Sequence, residues 1–305
     1  MDKPDLRIKI GSMEMKNPVT VASGTFGYGP EYAELVDLNR LGAITVKGIC
    51  PEPHIGNSTP RTFETRGGML NAIGLPGPGA KGFIEKYIPF LKQYDTPVIV
   101  NIWGKGMDDY GTVVEMLDDE ETVSAYEINL SCPNVKEGGS AFGTDVETFS
   151  RVIELVRNKT EKPIIPKLAP NVPNIGAFAK AAENCGADAV AIMNTMPAMA
   201  INIDTLEPEL ANRFGGLSGP PIKPIAIKLV FDAFKACSIP VIGMGGIFEP
   251  EDAIEFMIAG ATAVAVGTAN FVDPTTIVRV IDGIENYLTA KGHGAATDIV
   301  GTVKA

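Results

Sequence analysis

Short continuous apolar runs recur along the chain and alternate with segments whose apolar positions fall three or four apart. Residues 19–22, 43–47 (AITVK), 97–102 (PVIVNI), 125–130 (AYEINL), 163–168, 188–193 (DAVAIM), 239–243 and 261–267 read as eight strands. Each run has strand length, is rich in β-branched residues and is bounded by Gly, Pro or polar residues. Residues 30–39, 82–94, 108–121, 144–159, 174–184, 221–236 and 250–259 have helical spacing, and a helix and tail follow the last strand. Pro30 is acceptable as a helix opener because the first turn needs no intrahelical donor. Thr144 or Asp145 offers an oxygen to first-turn amides, and Gly260 suits a left-handed helix end. Phe149, Ile153 and Val156 form one apolar stripe.

Two excursions break this rhythm. Residues 50–80 are rich in Gly and Pro and too long for an ordinary barrel connection, so they predict a functional loop with a small hairpin. Residues 196–220 form a second irregular stretch. Eight strand–helix units in 305 residues predict an α/β fold, a single (β/α)8 TIM barrel over 1–305 with extended loops at its C-terminal mouth.

Composition narrows the function. Apolar residues make up 45% of the chain, enough for a large core, and the formal charge is −11 with no basic stripe, which argues against nucleic acid. No run of eighteen apolar residues and no signal-type apolar segment is present, so no membrane role is expected. Cys50, Cys132, Cys185 and Cys237 lie too far apart for a zinc or iron–sulfur motif, so no metal site is expected. A cytoplasmic enzyme with reduced thiols is the reading that results.

Polar residues and glycines gather just after the strands: Ser23 and Gly24, Lys47 and Gly48, Asn101, then Asn129, Ser131 and Cys132. Lys167, Asn194, Thr195, Gly245, Gly246, Gly267 and Thr268 continue the series. A packed barrel favours branched apolar residues inside, and buried Lys or Asn is costly unless bonded, so this clustering points to a site at the mouth. The turns GMGGI (243–247) and VGTA (266–269) can present amides to a phosphate beside a short helix, or can simply be tight corners. No GxGxxG motif supports a nicotinamide site on this chain. Lys47 and Lys167 suit an electron-rich ring or an anion; a structural ion pair or Schiff-base chemistry, as in a barrel aldolase, are the other readings.

Cys132 sits in a polar loop, NLSCPNVKEGGSAFG, where a thiolate can act as base or nucleophile. His54 and His293 are expected to take no part. Asn71, Asn129, Asn134 and Asn194 offer both donor and acceptor faces, suited to a planar ring bearing alternating C=O and N–H groups, or to turns. Gly138, Gly139 and Gly143 could let the Cys132 loop open and close.

The motifs NAIGLPGPG (71–79), NLSCPNVKEGG (129–139), MNT (193–195), GGLSGPPIKPIA (215–226) and GMGGI (243–247) resemble those of the class 1 dihydroorotate dehydrogenases, FMN-binding barrels. The resemblance implies that Ser23, Gly24, Lys47, Gly48, Asn101, Asn129, Lys167, Met193, Gly219, Gly245, Gly246, Gly267 and Thr268 surround FMN. It implies that Lys47, Asn71, Ala72, Ile73, Gly74, Leu75, Asn129, Asn134, Asn194 and Thr195 hold the substrate, with Cys132 as base. VKEGGSAFG is similar to the NAD-linked class 1B, which implies a partner subunit carrying FAD and a 2Fe–2S cluster in a heterotetramer of two catalytic and two partner chains. The fumarate-linked class 1A, an FMN-dependent dihydropyrimidine oxidoreductase and a non-enzymatic flavin-binding barrel are the alternatives. Pro76-Gly77 and Asn202 depart from the family pattern.

Overall fold

A computed structural model describes residues 3–130 and 143–304. Eight parallel strands form one sheet: β1 (Val19–Val21), β2 (Ile44–Ile49), β3 (Val98–Ile102), β4 (Val123–Asn129), β5 (Ile164–Leu168), β6 (Val190–Ile192), β7 (Val241–Met244) and β8 (Ala263–Val266). Neighbours in sequence are neighbours in the sheet from β2 to β8, and β8 pairs with β1 through Val264 opposite Val19. The remaining seam, β1 against β2, is held by the Thr20 side chain together with a backbone bond from the turn before β2. Thr20 Oγ1 donates to Ala43 O at 2.9 Å and lies 3.0 Å from Thr45 Oγ1, while Gly42 N donates to Val19 O at 2.9 Å. Gly42 permits that approach, because a Cβ there would lie 2.1 Å from Asn17 O. The sheet is thus a (β/α)8 barrel.

The two-residue strand period sends alternate side chains inward. Ala43, Ile99, Ala125, Ile165, Ala189, Ala191, Ile242, Ala263 and Ala265 fill the interior as one cluster. Val46, Val98, Val100, Tyr126, Ile128 and Ile164 face the helical layer in the other. An element absent from the sequence reading closes the N-terminal end: the hairpin Ile8–Ile10 with Met13–Met15. Its residues Ile8, Ile10, Met13 and Met15 are buried in the interior cluster, while Lys9 and Glu14 stay exposed and pair at 2.8 Å. Gly11 turns the hairpin at φ +55 against Asp188 and Pro163, which precede β6 and β5.

The helices mostly follow the expected segments. Asp145 caps Val146–Arg157 by accepting from Thr148 N at 2.8 Å, and Asn174 caps Ile175–Asn184. Two expectations need correction. Residues 30–39 form turns and a 3-10 segment, Leu38–Arg40, rather than an α-helix. Tyr32 N bonds Gly29 O and Leu35 N bonds Tyr32 O, both short-range, and Asp37 turns extended (ψ 107) and takes Asn39 N on its side chain. Segment 82–94 is two pieces, Gly79–Lys86 and Ile88–Leu91, with Pro89 in the first turn of the second.

The two excursions pair with each other. The expected hairpin, Thr62–Thr65 with Gly68–Asn71, joins Gly215–Ser218 and Met196–Ala198 in a four-stranded antiparallel sheet. Thr268 Oγ1 donates to Ser218 Oγ at 2.8 Å, tying this cap to the end of β8. No helix among the described residues is long and apolar enough to cross a membrane.

Candidate active site

Above the apolar interior layer, the inward positions become polar toward the C-terminal ends of the strands. Ile99 is followed two residues on by Asn101, Ala125 by Glu127 and Asn129, Ile165 by Lys167, and Ala43 by Thr45 and Lys47. Strand register sets these side by side, with Asn101 opposite Glu127 and Asn129 opposite Lys167. Asn101, Glu127, Asn129 and Lys167 are all buried.

One network joins β3, β4 and β5 to the segment after β1. Asn101 Nδ2 donates to Glu127 Oε1 at 2.5 Å, and Lys167 Nζ donates to the same oxygen at 3.3 Å and to Ser23 Oγ at 3.4 Å. Asn101 Oδ1 is buried without a partner among the described residues. A buried polar atom left unbonded is costly, so this oxygen marks a position for a donor from a bound molecule. A Cβ on Gly48 would lie 2.9 Å from that oxygen, which accounts for glycine after Lys47. Open space surrounds Gly24, where a Cβ would meet nothing within 4 Å, and Gly267, where it would meet only Ala22 Cβ at 3.5 Å.

A second set surrounds the ends of β6 to β8. Gly245 (φ +123) and Gly246 (φ +79) expose backbone in conformations that L side chains rarely adopt. Gly246 lies beside Gly219 O and the start of the helix Lys223–Ala236, and Thr268 precedes the short helix Ala269–Val272. Amides beside helix starts are suited to anions. Met193, Asn194 and Thr195 follow β6, with Asn194 Oδ1 accepting from Thr195 N at 2.8 Å. Gly216 stands opposite Asn71 in the cap, and Asn71 Nδ2 donates to Gly216 O at 3.4 Å. Gly216 in turn packs against Thr195, so one cap residue touches both Asn71 and the segment after β6.

The loop 71–75 is pinned at its turn. Gly74 (φ +76) and Leu75 (φ +53) are left-handed, Asn57 N donates to Ile73 O at 3.1 Å, and Asn57 Nδ2 donates to Ala72 O at 2.9 Å. Leu75 comes near Gly48, so this loop lies over the end of β2. There Lys47 is half-buried. Burial, and next the charge of Arg61, push its ammonium below the ordinary lysine range, while Glu31 pulls weakly the other way. Arg61 Nε is buried without a partner among the described residues. Two cations drawn close in low dielectric suit an anion.

Cys132 and Asn134 lie outside the described residues, as do Ser131, Gly138 and Gly139. Their flanks are described: Tyr110 OH donates to Asn129 O at 2.8 Å, and Gly143 packs against Leu130 O, where a Cβ would come within 2.7 Å. Glu127, Arg61 and Asn57 escaped the sequence reading. Glu127 carried a signal, an acid at an inward position two residues before Asn129. His54 bonds the backbone of Gly77 in both directions and sets its ring edge-on to Trp103 at 5.2 Å. Asn202 closes an outer hairpin by accepting from Asp204 N and Thr205 N.

A barrel whose mouth combines a buried cation–carboxylate network, amides and two glycine turns belongs to the enzymes that build their sites on strand ends. The family model described as dihydroorotate dehydrogenase matches residues 5–288. The chain is 51% identical over 300 residues to the dihydroorotate dehydrogenase B (NAD(+)), catalytic subunit, of Thermoanaerobacter pseudethanolicus, covering 98% of this chain and 99% of that one. It is 50% identical over 299 residues to the same-named protein of Desulforamulus reducens (98% of each) and 49% over 304 residues to that of Geotalea daltonii (100% of each). The chain belongs to the dihydroorotate dehydrogenase family.

Proposed function

We propose that this chain is the catalytic subunit of an NAD-linked dihydroorotate dehydrogenase, oxidising (S)-dihydroorotate to orotate in pyrimidine biosynthesis. The observation that carries this reading is the buried Ser23–Lys167–Glu127–Asn101 network beneath a cap bearing Asn71, within a chain about half identical to relatives of that name. The match of the dihydroorotate dehydrogenase family model over residues 5–288 favours a ring-binding redox site over an aldolase.

The residues fit FMN. The unpaired Asn101 Oδ1 would accept from a ring N–H, Lys167 would face an electron-rich edge, and Gly24 and Gly267 leave room for a ring system. Ser23, Lys47, Gly48, Asn129 and Met193 would complete the ring's surroundings, with Gly219, Gly245, Gly246 and Thr268 at the phosphate. FMN, when bound, supplies the acceptor for the hydride leaving C6 of dihydroorotate.

The chain's own groups do the rest. Lys47 and Arg61 would hold the substrate carboxylate. Asn71, the 72–75 turn, Asn129, Asn134, Asn194 and Thr195 would fix the ring's carbonyl and N–H groups. Cys132 takes the proton from C5, so that loss of that proton and of the C6 hydride leaves the C5=C6 double bond. A positioned base of this kind is worth about 10²–10⁴-fold. The name "catalytic subunit" carried by the relatives implies a partner subunit. We take it to carry FAD and a 2Fe–2S cluster, to pass electrons to NAD+ and to form a cytoplasmic heterotetramer of two chains of each kind.

The test is Cys132→Ala. The variant is expected to bind FMN normally and to reduce it with dihydroorotate about 10²-fold or more slowly under anaerobic conditions. Reduction at the parent rate would remove Cys132 from the mechanism.

A further inference from the structure

Glu127 stands on β4 facing inward, where the layer beneath it is Ile99, Ala125 and Ile165. It is buried, with 3% of its surface exposed, and Lys167 beside it is 6% exposed. A buried ion pair is rarely needed for stability, since apolar residues of similar volume often serve as well. The layer directly beneath is Ile99, Ala125 and Ile165, so the same strands fill the barrel with apolar side chains one inward position earlier.

Two features show what the carboxylate does. First, one oxygen, Oε1, takes both Asn101 Nδ2 (2.5 Å) and Lys167 Nζ (3.3 Å). An ionised carboxylate only accepts, so Asn101 must present its NH2 to it and turn Oδ1 the other way. That Oδ1 is the buried, unpartnered atom next to Gly48. Second, Lys167 spends two donors on Glu127 and Ser23, leaving a third N–H. The ammonium therefore reaches the mouth already accompanied by a negative charge.

We propose that Glu127 is a positioning residue for the FMN ring. It orients the Asn101 carbonyl toward the ring and offsets the Lys167 charge, and so sets how readily the bound flavin is reduced. The inference rests on the FMN reading above. A hydride delivers one negative charge to the ring. A fixed carboxylate nearby disfavours that charge and a lysine favours it, in a dry site where both act strongly. The balance between Glu127 and Lys167 is thus a determinant of flavin potential, separate from substrate binding.

The experiment compares the parent chain, Glu127→Gln and Glu127→Asp. FMN affinity of each apoprotein is read from flavin fluorescence, and the midpoint potential of each holoprotein by dye equilibration in mildly alkaline buffer, where the reduced ring keeps its negative charge. Gln keeps the size and the acceptor oxygen but removes the charge. Glu127→Gln is expected to bind FMN within about tenfold of the parent, with a clearly more positive potential; Glu127→Asp, which keeps the charge, is expected to hold the parent's potential. An unchanged or more negative potential in Glu127→Gln would overturn the inference, because a residue that merely fills space tolerates an isosteric amide. Should Glu127→Gln fail to fold, Lys167→Met tests the same balance from the other side. It leaves the carboxylate unopposed, so the potential is expected to fall, and an unmoved potential counts against the proposal. If the parent apoprotein takes up no FMN at all, the proposed function fails instead.

Discussion

Gly216 is packed against Thr195 so closely that a Cβ on the glycine would lie 1.7 Å from Thr195 Oγ1. Gly216 belongs to the cap and Thr195 to the segment after β6, so this contact couples the two. A methyl group at 216 must displace Thr195 or lift the cap, at a cost of about 1–3 kcal/mol for overpacking. Gly216→Ala is therefore expected to weaken orotate binding by about tenfold or more and FMN affinity less, since the Ser23–Lys167–Glu127 network lies on other strands and the cap reaches the phosphate turns only through the Ser218–Thr268 tie and Gly219. Equilibrium titration with each ligand separates the two effects. Equal loss of both would mean that the cap and the flavin network are not independent.

Lys47 gives a pH-dependent expectation. Burial, and secondarily Arg61, lower its proton affinity in the folded chain below the usual value of 10.5. Between the folded value and 10.5 the unfolded chain binds more protons, so stability rises with pH across that interval. Below the folded value the penalty is fully present. The stability difference between the parent and Lys47→Met, read from urea midpoints, should accordingly shift in the parent's favour as pH rises from neutral through that window, as the penalty carried by the parent is relieved. A constant difference across it would show that Lys47 meets no burial penalty.

The same pair of cations bears on substrate charge. Lys47→Met is expected to raise the KM for dihydroorotate more than it lowers kcat, because the carboxylate is held equally in ground and transition states. Arg61→Gln should act in the same direction. A loss confined to kcat would place Lys47 in the chemistry rather than in binding.

The three described thiols are poor nucleophiles in the folded chain. Burial pushes Cys50 up to about 11 and raises Cys185 and Cys237 above the usual thiol value. Brief iodoacetamide treatment of the native protein is expected to modify Cys132 first, with orotate slowing that reaction, as peptide mapping would read. Modification of Cys237 or Cys50 ahead of Cys132 would contradict a reactive thiolate at 132.

The parts of the fold that rest on local pattern were readable from the chain. Runs such as PVIVNI and DAVAIM are apolar because barrel strands are covered on both faces, and polar residues mark their mouth ends. Three features were not readable for physical reasons. The 30–39 segment has helical spacing, yet Asp37 bonds its own backbone neighbour and ends the turn early. The pairing of Gly68–Asn71 with Gly215–Ser218 joins strands far apart in sequence through glycines that carry no side-chain pattern. Glu127 was visible as an acid two residues before Asn129, but its partners follow only from register, which sets Asn101 beside it and, with the next inward position, brings Lys167 within reach. The hairpin at the barrel floor was different. IKI and MEM alternate correctly around Gly11, and the signal was present but short.

The most direct test of the whole account is an anaerobic titration of the FMN-loaded chain with (S)-dihydroorotate, followed by the visible flavin absorbance. The expected result is stoichiometric bleaching with formation of orotate, abolished on the same timescale by Cys132→Ala. A flavin that stays oxidised in the presence of excess dihydroorotate would contradict it.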